Sequence, residues 1–128
     1  MQRRLATPLL FLLAVTLFTG CAAGQKSAAK AVTGAEPLFE GLGSFGRKIT
    51  TSQGQAQRYF DQGLSLLFAF NHDEAIRSFR KAAEYDPHAA MAWWGISIAN
   101  GPHINNPTMS PDNSKAAWEA LQKADVWE

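Results

Sequence analysis

Three groups of residues in this chain have types suited to chemistry. His103 stands with Asn105 and Asn106 in a proline- and asparagine-rich stretch, Pro102 to Ser110, where an imidazole could ligate a metal ion or a small ligand. Histidine is a common ligand, but amides are poor transition-metal ligands and no second histidine lies near it in sequence. No metal site is therefore expected, and His103 is the one candidate position for such a site. Asp73 and Glu74 form a carboxylate pair of the kind used in acid-base work. They fall in the first turn of an expected helix, where the macrodipole favours acidic residues without any catalytic role. His72 and His88 also fall at helix starts, where an imidazole sits exposed at little cost. No G-x-S-x-G, P-loop, H-E-x-x-H or C-x-x-C occurs. The chain is read as non-enzymatic, with no cofactor.

Composition sets the frame around these residues. With 128 residues, 46% of them apolar and 18% charged, there is room for one domain at most. One cysteine excludes a disulfide-stapled mini-protein. Twelve basic residues against eleven acidic give a formal charge of +1, which carries no whole-chain field of the kind nucleic-acid binding needs. No nucleic-acid partner is expected.

The first twenty residues read as a targeting leader. Arg3 and Arg4 form a basic head, and Pro8 to Phe18 is an apolar run too short for a bilayer core, which needs about 20 apolar residues. The run ends in Phe18-Thr19-Gly20-Cys21, which resembles the lipobox of bacterial lipoproteins, with phenylalanine where leucine is commonest. The resemblance implies cleavage before Cys21 and lipidation of its thiol, so that several acyl chains hold the protein to a membrane. Ala22 after the cysteine implies sorting to the outer membrane, facing the periplasm. Cleavage would remove Arg3 and Arg4 and leave a weakly acidic body, so the anchor would carry the membrane contact.

Residues 21–51 then make a tether and lead-in. Ala22 to Gly34 is small and polar with no apolar face, and Pro37 to Thr51 carries Leu38, Phe39, Leu42, Phe45 and Ile49 broken by Gly41, Gly43 and Gly46. The lead-in is expected to run extended and to pack apolar side chains on the domain.

From residue 52 to 128 the spacing is helical. Ser52-x-x-Gln55 and Asn71-x-x-Glu74 resemble N-terminal caps, and Asp86-Pro87 and Ser110-Pro111 pair an N-cap residue with a first-turn proline. Asn100-Gly101-Pro102 stops the third helix, and no segment alternates with period two for long enough to make a strand. An all-α fold of four helices follows.

These helices repeat. The spacing Tyr59-x2-Gln62-Gly63-x2-Leu66-x8-Ala75-x3-Phe79-x2-Ala82-x4-Pro87 resembles the tetratricopeptide pattern, with Gln62 and Leu66 departing from it. Trp93 lies 34 residues after Tyr59, and Ala117, Leu121 and Ala124 supply the second copy's second helix after a linker eight residues longer. The resemblance implies two stacked antiparallel helix pairs, a short α-solenoid, with repeat one at about 56–89 and repeat two at about 90–126. Two such units leave apolar surface uncovered, so the chain reads as the N-terminal part of a larger repeat protein. The last helix, with Trp118 and Leu121, offers a surface for self-association.

In this family the first helix of each pair lines a concave groove that holds a partner polypeptide. By that resemblance the groove residues are Gln57, Phe60, Leu64, Leu67 and Phe68, then Met91, Trp94 and Ile98. The lining is apolar, and the Lys and Asn that clamp a C-terminal carboxylate in chaperone-binding members are replaced by Phe60 and Leu64. A lipid-anchored scaffold that binds a protein partner in the bacterial envelope is the expected function. The alternative is a ligand-binding, metal-binding or catalytic part lying beyond residue 128.

Overall fold

A computed structural model describes residues 36–127. They form four helices: α1 (Gly54–Phe68), α2 (His72–Tyr85), α3 (Ala90–Asn100) and α4 (Pro111–Val126). No strand forms among the described residues, only an isolated bridge between His103 and Asn106. The expected all-α class is observed. The leader, Cys21 and the tether to Gly34 lie outside the described residues.

Each helix packs on the next in sequence, and α1 also touches α3, whereas α4 packs on α3 alone among the helices. Small residues make the close approaches possible. Ala56, Ala75, Ala82, Ala92 and Ala99 are buried where helices meet. Gly63 of α1 and Gly95 of α3 sit on the ring of Phe79 of α2, so close that a Cβ on either would lie 2.7 Å and 2.6 Å from ring carbons. Phe79 is fully buried, and Phe60 tilts against it with ring centroids 5.5 Å apart. This stack of backbone, ring and backbone joins α1, α2 and α3, and burying a phenylalanine contributes about 1.5–3 kcal/mol.

Local signals differ in outcome. Ser110 caps α4 as its type predicts: its hydroxyl accepts from the Asn113 N–H at 3.1 Å, with Pro111 in the first turn. The expected capping box at Ser52 does not form. The helix starts two residues later, and Thr51 Oγ1 accepts from the Gln53 N–H instead. Asn71 makes no side-chain cap either, and the reciprocal half of the box is absent too: the Asn71 N–H donates to the Leu66 carbonyl and Glu74 is engaged by Arg77. Asp86-Pro87 precedes α3 by a turn rather than opening it: the Asp86 carboxylate accepts from the His88 N–H at 3.1 Å, and α3 begins at Ala90.

Candidate functional site

Residues 36–49 lie against α1 and double back. Glu36 reaches Tyr59, Phe39 reaches Gln62, Phe45 reaches Ser65, and the chain then returns to Asp61 at Arg47 and to Gln57 at Ile49. Gly41 and Gly43 stand in the left-handed region at φ 82° and 78°, on the stretch between the two legs. Glycine adopts that backbone without strain, which is why the turn falls there. Leu38 packs against the core and Ile49 joins it, while Phe39, Leu42 and Phe45 stay exposed. The lead-in thus meets α1 chiefly through polar groups, and only in part through the apolar packing its composition suggests.

The core and this strap together take up the α1 part of the expected groove. Phe60 and Leu64 are 0% and 6% exposed, respectively, and belong to the core, so neither offers a surface to a partner. Both are corrected from groove to core. Gln57 is half-buried and spends its amide on the strap, donating to the Arg47 carbonyl at 2.8 Å. Leu67 packs half-buried on the core, and Phe68 is exposed with Phe45 edge-on at 5.5 Å between centroids. Ile98 is exposed but stands apart from the cleft described next. Identical spacing serves a core stripe and a groove, so sequence could not separate the two.

Met91 and Trp94 are brought together with residues of α4. They line an open cleft of about 580 Å³ with Trp118, Leu121 and Trp127, rimmed by Thr50, His88, Gln122 and Asp125. One helical turn separates Met91 from Trp94 and Trp118 from Leu121, so each pair shares a helix face. Trp118 is 60% exposed, and Leu121 and Trp127 are close to half exposed. The Trp127 ring sits 4.1 Å from the His88 imidazole. Exposed aromatic groups this large, converging on a concavity, are the usual sign of a surface that another molecule covers.

Against known proteins, the chain matches no protein-family model, no curated sequence and no solved structure. The site has to be read from its own geometry.

On the far side of α4, Trp93 donates its indole N–H to the Pro87 carbonyl at 2.8 Å, and Lys123 lies over its ring at 4.3 Å. Lys81 stands 5.7 Å over the Tyr85 ring, and its hydrogen bond with Glu84 raises its pKa above the ordinary lysine value.

His103 meets a histidine that its sequence neighbourhood hides. The His72 ring stacks on it with centroids 4.0 Å apart and planes 18° apart. Imidazole lone pairs lie in the ring plane, so two near-parallel rings do not aim at one ion about 2.1 Å from each. His72 Nδ1 is 3.1 Å from the Phe70 carbonyl, and His103 Nδ1 is buried without a partner among the described residues. Among the described residues no three His, Cys, Asp or Glu side chains cluster, and no helix is long and apolar enough to cross a membrane. Asp73 and Glu74 diverge: Asp73 is exposed and Glu74 pairs with Arg77.

Proposed function

We propose that this chain is a non-catalytic interaction module that takes a polypeptide partner in the cleft between α3 and α4. The observation that carries the reading is the convergence of Met91, Trp94, Trp118, Leu121 and Trp127 on one open concavity. Tryptophan-rich pockets are where binding energy concentrates in protein interfaces.

In this proposal the four helices are two tetratricopeptide-like pairs, which names the partner's chemistry. The helix contacts, α1 on α2 on α3 on α4 with α1 also on α3, support this reading. Repeat register makes Leu121 the counterpart of Phe79, and Ala124 of Ala82, once the longer linker is allowed for. Phe79 of α2 is covered on one side by Gly63 of α1 and on the other by Gly95 of α3. The Leu121 face therefore fits a helix of the same kind, amphipathic with small residues on its contact stripe. A second copy of this chain is a competing occupant.

In the same proposal the module is tethered to the bacterial outer membrane by acyl chains on Cys21. Lipobox resemblance supports the anchor, and Cys21→Ser should release the protein from the membrane fraction.

The test replaces Trp118 by Lys and Leu121 by Asp. Both side chains are exposed, so stability should move by no more than about 0.5 kcal/mol. Each change should abolish retention of the partner that the unmodified protein holds from detergent-solubilised envelopes. Equal retention by both variants would remove the cleft from the function, and a concentration-dependent dimer lost in both would point to self-association.

A further inference from the structure

Every hydrogen bond between the strap and α1 joins an α1 side chain to a strap backbone group. On the outgoing leg, Tyr59 donates to the Glu36 carbonyl at 2.5 Å. There the Gln62 amide accepts from the Phe39 N–H at 2.7 Å and donates to the Pro37 carbonyl at 3.0 Å. On the return leg, Ser65 donates to the Phe45 carbonyl at 3.3 Å, and Asp61 accepts from the Arg47 N–H at 2.9 Å. Gln57 completes that leg, donating to the Arg47 carbonyl at 2.8 Å and accepting from the Ile49 N–H at 3.0 Å.

The return leg has a regular geometry. Its bonded residues, Phe45, Arg47 and Ile49, alternate as in an extended strand, and their partners Ser65, Asp61 and Gln57 are spaced four apart on one stripe of α1. Four helical residues advance about 6.0 Å, and two extended residues about 6.6–6.8 Å. The two repeats nearly match, so an extended chain can run antiparallel along this stripe and find a polar partner at each step. Side-chain identity enters at two points only. Gly46 lies so close to Asp61 that a Cβ would stand 2.6 Å from its carboxyl carbon, and Ile49 is buried in the core.

We propose that the Gln57, Asp61 and Ser65 stripe of α1 is a binding site for extended polypeptide of the form x-Gly-x-x-aliphatic, and that Phe45 to Ile49 is its built-in occupant. Main-chain bonds supply the affinity, and the glycine and the aliphatic side chain set the register. The cis segment holds the site at a high effective concentration, so an external segment of the same form gains entry when the strap lifts. This surface is distinct from the α3 and α4 cleft and does not depend on it.

The test uses the full chain carrying Gly46→Val, which expels the return leg and leaves α1 untouched. The probe is a synthetic peptide of residues 42–51, followed by backbone NMR shifts at Asp61 and Ser65. Peptide should bind this variant at least about tenfold more tightly than the unmodified protein, in which the site is filled. A control peptide with valine in place of the glycine should not bind, and adding Asp61→Ala to the variant should weaken binding by a similar factor. Absence of binding to a folded Gly46→Val chain, or equal binding of both peptides, overturns the proposal. Should the variant fail to fold, amide exchange in the unmodified protein decides. Arg47 and Ile49 amides must then exchange by a local opening insensitive to denaturant, and exchange only with global unfolding overturns the proposal.

Discussion

His72 and His103 stack their imidazoles 4.0 Å apart, joining the first residue of α2 to the loop between α3 and α4. The pair leaves one buried ring nitrogen, His103 Nδ1, without a partner among the described residues. Phenylalanine at 103 keeps the stacking surface and removes the unpaired nitrogen. His103→Phe should therefore match the native stability or exceed it by up to about 1 kcal/mol, while His103→Ala loses the stack and about 1 kcal/mol. Urea unfolding midpoints of the two variants check the order.

Glycine-to-alanine changes in this protein should split by sign. In an open helical position the substitution favours the helix by up to about 1 kcal/mol. A Cβ on Gly54 would have no neighbour within 4 Å, so Gly54→Ala should be neutral or stabilising. Gly95→Ala drives a methyl into the Phe79 ring and should destabilise by about 1–3 kcal/mol, lowering Tm by several degrees. Calorimetry on the pair suffices, and a Gly95→Ala protein as stable as the original would disprove the tight ring contact.

Loss of the Ser110 cap should be felt locally. Its hydroxyl holds the Asn113 amide at 3.1 Å at the start of a helix that packs on α3 alone. Ser110→Ala should cost about 1 kcal/mol and speed amide exchange in the first turn of α4, leaving α2 amides unchanged.

Gln62 is the buried polar residue whose amide joins strap to core, donating also to Ser78 Oγ at 3.1 Å. Gln62→Leu matches the repeat pattern better but strands the Phe39 N–H and the Pro37 carbonyl. It should cost about 1–3 kcal/mol and expose the strap to proteolysis between residues 39 and 45. A strap as resistant as before would show that Gln62 is not what holds it.

What sequence revealed follows from what each contact reads. The helices were legible because their apolar stripes recur with a 3.6-residue period, and Gly63, Ala75 and Ala82 marked the close approaches because only small residues permit them. Ser110-Pro111 was legible because its cap is local, while at Ser52 the N-cap falls one residue further on, at Gln53. That the lead-in packs on the domain was legible from its apolar residues, but its polar contacts were not, because they go to backbone atoms, which every residue carries. Their one trace was Gln62, an amide where the pattern asks for an apolar side chain. The cleft was half legible: the repeat pattern marks Met91 and Trp94, but Trp118, Leu121 and Trp127 join them only through the packing of α4 on α3. His72 is hidden as a neighbour of His103 because 31 residues separate them in the chain.

Placement of the aromatic residues gives the molecule two built-in optical reporters. All four tryptophans, Trp93, Trp94, Trp118 and Trp127, belong to the α3 and α4 end, and both tyrosines, Tyr59 and Tyr85, belong to α1 and α2, where their rings stack 5.7 Å apart. Emission excited at the red edge of the spectrum, where tyrosine is silent, therefore follows the α3 and α4 end, three of whose tryptophans line the cleft, and the tyrosine bands of the second-derivative absorbance follow the strapped end. Unlabelled protein can thus report in a single cuvette which of its two surfaces a ligand has met.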